Sequence, residues 1–237
     1  MFFDPMYLLV IGVGMALSIW ASVKTKGTFH KYSQFTTRSR MTGADIAKAI
    51  MRDSNINDVT VEPVRGKLTD HYDPRTKTLR LSEAVYGSTS MSAAGVAAHE
   101  VGHAIQDAVN YGPLKFRSAW VPVANLGGGI SMFVLVMAAM LGGAATVGGQ
   151  KLALVGVVLF ATTTVFTLVT LPVEFDASRR ALATLRRGSY LTAEELTGAK
   201  KVLDAASLTY VAAFITSALA LFYWAMRLGL LGGRRSD

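Results

Sequence analysis

Five consecutive residues, His99-Glu100-Val101-Gly102-His103, read H-E-x-x-H. This pattern does chemistry only on a helix. Residues four apart then stand one above the other on one face, so both imidazoles reach one metal ion. The glutamate between them points beside the pair, where it can hold a water for general-base work rather than bind the metal. The preceding Ala93-Ala94-Gly95-Val96-Ala97-Ala98 extends the helical stretch. Ala94, Gly95, Ala98 and Gly102 leave room for another backbone and for a substrate. A histidine pair that merely packs on an amphipathic helix is the plainer reading, and such small neighbours oppose it.

Two histidines leave a metal short of ligands. A catalytic zinc usually takes three protein ligands and keeps a fourth position for water. The chain has no cysteine, which excludes thiolate ligands, thiol catalysis and a disulfide framework together. The third ligand is therefore His, Asp or Glu. His30 and His71 lie upstream. Asp107 follows His103 by four residues, but three ligands on successive turns of one straight helix cannot converge on one ion. Glu194, Glu195 and Asp204 read as a solvated helix face. Glu174 is the best candidate, because it directly follows the apolar stretch that ends Leu171-Pro172-Val173. A carboxylate at such a boundary is expensive unless it is paired or bound to metal. The competing reading is an ordinary acid at a helix N-terminus, favoured by the macrodipole.

The elements that must position these residues begin with the membrane. Of 237 residues, 51% are hydrophobic and 17% are charged. A soluble domain is usually near a quarter charged, and a disordered chain is far less apolar. Met6–Val23, Ser118–Gln150, Leu152–Val173 and Ala205–Met226 carry no charge. A spanning helix needs about 20 predominantly apolar residues. The runs predict four transmembrane helices, near 6–23, 121–143, 152–173 and 207–229. A signal peptide is the other reading of the first run, but Asp4 stands where a basic flank would, and no clean cleavage site follows.

The net charge of +8 first suggests nucleic acid or a membrane surface. Its distribution favours the membrane: 14 Lys and Arg fall in 24–117 and six in 174–204. Alternating spans put those two segments on one side, which the positive-inside rule makes cytoplasmic. Arg234 and Arg235 vote weakly the other way. No nucleic-acid partner is expected. The domain reading is an anchor at 1–23, a cytoplasmic domain at 24–117, a membrane hairpin at 118–173, cytoplasmic helices at 174–206, and a last span and tail at 207–237. The fold class is a mainly α membrane protein with a small α+β cytoplasmic zincin-like domain built around the H-E-x-x-H helix.

Within that domain, Asp45–Arg52 has helical spacing, and 57–65 and 78–82 alternate as strands. Ser90 or Ser92 caps a helix that runs to about Val109, and Tyr111-Gly112-Pro113 ends it. A further helix covers Glu174–Arg187. Thr192-Ala193-Glu194-Glu195 has the spacing of a capping box for the next one.

The stretches Leu68-Thr69-Asp70-His71-Tyr72-Asp73-Pro74, Leu79-Arg80-Leu81-Ser82-Glu83, Ala97 to Gln106 and Glu174-Phe175-Asp176-Ala177-Ser178 together resemble the YugP-like neutral zinc metallopeptidases of bacterial membranes. More distantly the chain is similar to HtpX-type membrane proteases, which are gluzincins. The resemblance implies Zn2+ held by His99, His103 and Glu174, with Glu100 as the base. HtpX-type enzymes typically carry an aspartate four residues after the ligand glutamate, where it supports a histidine. Here that position is Ser178, and Asp176 is its candidate substitute. The expected activity is hydrolysis of peptide bonds in a peptide or membrane-protein substrate, at the inner membrane with the site facing the cytoplasm. The strand at 78–82 is a candidate edge for an extended substrate. His71, Tyr72, Arg179 and Tyr210 are candidates for stabilising the oxyanion, and the sequence does not choose among them. A scaffold with a closed structural zinc site, His71 being its fourth ligand, is the alternative. A small transporter is a third reading, opposed by the absence of charge from the spans.

Overall fold

A computed structural model describes residues 4–231, so Arg234 and Arg235 lie outside the described residues. The chain is mainly helical with one small sheet. In chain order it forms α1 (Pro5–Ser33), α2 (Gly43–Asp53), β1 (Thr60–Val64), β2 (His71–Asp73), β3 (Thr78–Ser82), α3 (Glu83–Tyr86) and α4 (Met91–Ala108). Then follow α5 (Gly112–Met140), a 3₁₀ turn at Gly143–Ala145, α6 (Val147–Arg187) and α7 (Ala193–Arg227). These elements divide into two compact units. One comprises Met1–Trp20, Phe116–Thr170 and Tyr210–Asp237, the other Ala21–Lys115 and Leu171–Thr209.

The first unit is helical. Among the described residues, α1, α5, α6 and α7 are long and apolar enough to cross a membrane. Helices satisfy their own backbone groups, which lipid requires. The helices approach closely where side chains are absent or small: a Cβ on Gly127 of α5 would strike Thr162 and the Leu159 carbonyl of α6. Several polar groups in this unit find partners, though the buried Thr163 hydroxyl has none among the described residues. The Trp120 indole donates to the Thr162 carbonyl at 3.0 Å, and the Thr164 and Ser217 hydroxyls meet at 2.7 Å. Gly142, at φ +91°, and Gly143, at φ +54°, make the turn between α5 and α6. Glycine reaches this left-handed region without a Cβ penalty.

The second unit holds the sheet, in the order β1-β3-β2. β3 pairs parallel with β1 and antiparallel with β2. The strand expected at 78–82 is therefore central rather than an edge, and both of its sides are engaged by neighbouring strands. Its Leu79 and Leu81 are fully buried with Ile46 and Ile50 of α2, Val85 of α3, Val101 of α4 and Leu185 of α6. The expected strand at 57–65 is shorter, and β2 and α3 are too brief to leave a periodic signal.

Several helix boundaries differ from expectation, α5 starting at Gly112 rather than near 121 among them. The helix expected to start at Glu174 does not start there: α6 runs unbroken through Pro172 from Val147 to Arg187. Proline removes one N–H from the ladder, but membrane helices tolerate the loss where neighbouring groups compensate. Glu174 therefore sits inside a helix, and the N-terminal macrodipole does not account for it. Pro113 likewise stands in the first turn of α5, a position where its missing N–H costs nothing.

Side-chain caps open three of these helices. Thr42 and Asp45 form a complete capping box at the start of α2. Ser90 caps α4, its hydroxyl accepting the Ala93 N–H at 3.2 Å. Thr192 and Glu195 bond reciprocally at the start of α7, at 2.8 and 3.3 Å. Glu195 also accepts the Arg38 N–H and is 7% exposed, so it is a buried cap rather than part of a solvated face. Thr42→Ala is expected to cost about 1 kcal/mol by removing an N-cap acceptor. In a thermal melt of the detergent-solubilised chain this should read as a Tm lower by about 2–4 °C.

Candidate metal centre

Two helices of the second unit build the site. α4 presents His99, His103 and Gln106 on one stripe, spaced four and three residues apart. α6 presents Glu174 and Ser178, four apart, with Asp176 beside them. Close approach of the helices depends on Gly102. A Cβ there would stand 2.5 Å from the Ala177 carbonyl oxygen.

The three expected ligands converge. His99 Nε2 is 3.1 Å and His103 Nε2 is 3.5 Å from the same oxygen, Oε2 of Glu174. The imidazoles stand edge to face, 85° apart, with centroids at 4.8 Å. One donor atom from each of the three residues lies within 4.8 Å of the others. Glu174 is 2% exposed and His103 8%. A carboxylate buried this deeply must be compensated, and two imidazoles do so here. Two imidazole nitrogens and one carboxylate oxygen, with no softer donor, form a set that suits zinc.

The far nitrogens are held as well. His99 Nδ1 is 3.1 Å from the Ser178 hydroxyl. His103 Nδ1 is 3.0 Å from Gln106 Oε1. The Gln106 amide donates to the Val173 carbonyl at 2.8 Å and to Asp176 at 3.0 Å. Arg180 and Arg179 both pair with that same aspartate. Ser178 and Asp176 thus both stand behind histidines, Asp176 through an intermediary. Gln106 is the residue that sequence reading misses. Its signal was available, since it continues the stripe of His99 and His103 and is polar where the helix is otherwise small and apolar.

Glu100 is 7% exposed. Burial pushes its carboxyl above the usual carboxylate range, against the pull of the two histidines. Among the described residues it makes no hydrogen bond or ion pair. For His103, burial works against the charged form, but the hydrogen bond and charge of Glu174 outweigh it and raise the imidazole pKa.

The other candidates within this unit have partners of their own. His71 is exposed on β2, with Nδ1 2.8 Å from the Thr69 carbonyl, and is not in the three-donor group. The Tyr72 hydroxyl donates to Asp107 at 2.8 Å, and Lys77 pairs with the same carboxylate at 2.7 Å. Arg179 is committed to Asp176, and Tyr210 belongs to the other unit. His30 is exposed and meets Gln34 at 3.4 Å.

A family described as "Putative neutral zinc metallopeptidase" matches residues 7–229. The chain belongs to this family. A Bacillus subtilis (strain 168) protein named "Putative membrane protease YugP" is 41% identical over 221 residues, covering 93% of this chain and 96% of that protein. No solved structure matches the chain. Family membership and the four apolar helices agree on a membrane protein of the zinc metallopeptidase type.

Within this family member, Gly102 is the sharpest packing constraint at the site. Gly102→Ala should cost about 1–3 kcal/mol by overpacking. It should also lower zinc affinity by forcing α4 and α6 apart. A thermal melt and zinc content of the purified variant check both.

Proposed function

We propose that the protein is a membrane-embedded zinc endopeptidase in which His99, His103 and Glu174 hold the metal and Glu100 is the general base. The observation that carries this reading is the convergence of both Nε2 atoms on one buried Glu174 oxygen, with a second buried carboxylate, Glu100, between the histidines in sequence.

A bound zinc would polarise the scissile carbonyl and acidify water toward a pKa of about 7. Glu100 accepts the proton of the attacking water and passes it to the leaving amine nitrogen. Its buried setting supports this role, because a raised carboxyl pKa makes Glu100 a better acceptor of the water proton. His99 and His103 present Nε2 and are steadied from behind through Nδ1. Glu174 completes the ligand set and neutralises part of the metal charge. The charge pattern of the sequence supports a site facing the cytoplasm, and the family with its Bacillus subtilis relative supports a bacterial inner membrane and peptide segments or membrane proteins as substrates.

The scaffold alternative needs a closed fourth ligand. The residue named for it, His71, is not in the donor group, so no observation favours that reading.

Glu100→Gln should retain zinc yet lower hydrolysis of an unfolded casein-type substrate by about 10²–10⁴-fold. Unchanged cleavage would remove Glu100 from the mechanism. Glu174→Ala should lose zinc on dialysis where the wild type keeps one equivalent, measured by metal analysis. Full occupancy at wild-type affinity would take Glu174 out of the ligand set.

A further inference from the structure

The groups behind the two histidines are chemically unlike, and the difference has a consequence. A glutamine side chain offers one carbonyl oxygen that only accepts and one NH2 that only donates. Gln106 faces three groups: the Val173 carbonyl, the Asp176 carboxylate and His103 Nδ1. The first two are acceptors, so the NH2 must face them. The Asp176 charge is anchored by Arg179 and Arg180, which keeps it an acceptor. The amide oxygen is then left for His103, and this holds whichever way the amide is first drawn. An oxygen that only accepts requires a proton on Nδ1. In the neutral ring, the form that can bind a metal ion, the lone pair of His103 then lies on Nε2, the nitrogen that faces Glu174.

His99 has no such constraint. Its partner is the Ser178 hydroxyl, which donates or accepts as needed. Gln106 is completely buried, so its three bonds form without competition from water.

We propose that Gln106 is a positioning residue: oriented by Val173 and Asp176, its amide locks His103 as the Nδ1–H tautomer with Nε2 turned to the metal, while Ser178 leaves His99 free to adjust. The proposal rests on reading His99, His103 and Glu174 as the metal site. It makes Asp176 and its two arginines part of the site's support, although none of them touches the metal ligands directly. It also assigns a task to a residue three positions beyond the H-E-x-x-H motif.

The test uses the full chain purified in detergent. Zinc affinity is read by competition with a chromophoric chelator. Gln106→Leu, which keeps volume and removes the acceptor, should weaken zinc binding by about 10–100-fold. Ser178→Ala should weaken it less. Gln106→Glu removes both donors and sets a carboxylate against Asp176. Adding Asp176→Asn restores a donor at that contact and should recover at least about threefold of the lost affinity. That rescue is not expected of a merely structural role. Independently, 15N NMR of histidine-labelled, metal-free wild type, titrated until His103 is neutral, should show the Nδ1–H tautomer.

Zinc affinity of Gln106→Leu within about twofold of wild type would overturn the proposal, as would no recovery in the double variant. An Nε2–H tautomer, or an even mixture, would overturn it too. If Gln106→Leu does not fold, the wild-type spectrum decides. A wild type that shows the locked tautomer but takes up no zinc supports the role of Gln106 and sinks the metal-site reading, so the two failures are distinct.

Discussion

One buried carboxylate organises the polar half of this protein. Glu174 directly follows a long apolar stretch and is almost wholly removed from solvent. An isolated carboxylate in that position would be very costly to bury ionised. Two imidazole nitrogens aimed at one of its oxygens compensate it. Those imidazoles come from α4, so α4 and α6 must touch. Contact at that distance requires a residue without a side chain, and Gly102 against the Ala177 backbone supplies it. Gly95 performs a similar service against Ala199 of α7, where a Cβ would lie 3.3 Å from the alanine's own. Glycines within and before the motif are therefore the packing condition of the site, Gly102 serving α6 and Gly95 serving α7.

α6 brings more than a ligand. The Val173 carbonyl, Glu174, Asp176 and Ser178 all lie within six residues of it, and each bonds to α4. Glu174 and Ser178 bracket the ring of His99 from its two nitrogens. Val173 and Asp176 engage Gln106, which lies behind His103. A helix rises only 1.5 Å per residue, so these groups occupy about 8 Å of one rigid rod. Their relative positions are set by helical geometry rather than by loop conformations. A donor group of this kind is preorganised, because the entropy of ordering it was already lost in forming the helix.

Much of this is legible in the sequence, and the rest fails for specific reasons. His99, His103 and Glu174 were readable as a converging donor group because metal-binding chemistry restricts residue type so severely in a chain without cysteine. The apolar runs were readable because lipid admits only long uninterrupted helices. The capping residues of α4 and α7 were readable because hydroxyl and carboxylate spacing is local. The fate of Pro172 was not: proline usually marks a helix boundary, and only tertiary and membrane context lets α6 continue through it. Glu195 looked solvated because one of its partners, the Arg38 N–H, lies 157 residues away. β3 looked like an available edge because β2, three residues long, leaves no periodicity of its own. Gln106 was overlooked for a different reason. Its importance lies in which groups surround it, and amide chemistry has no motif.

The unbroken course of α6 explains why the site belongs to this helix. Forty-one residues at 1.5 Å each extend about 60 Å, roughly twice the hydrocarbon thickness of a bilayer. A helix of that length necessarily has turns that need not be apolar. Had the chain broken at Pro172, Glu174 would sit in a first helical turn with unpaired N–H groups to neutralise it, and it would have no need of imidazoles. Because the helix continues, the backbone around Glu174 is already paired and offers its carboxylate nothing. Compensation must then come from side chains of another element or from a cation. The continuity of α6 thus creates the electrostatic demand that two histidines answer.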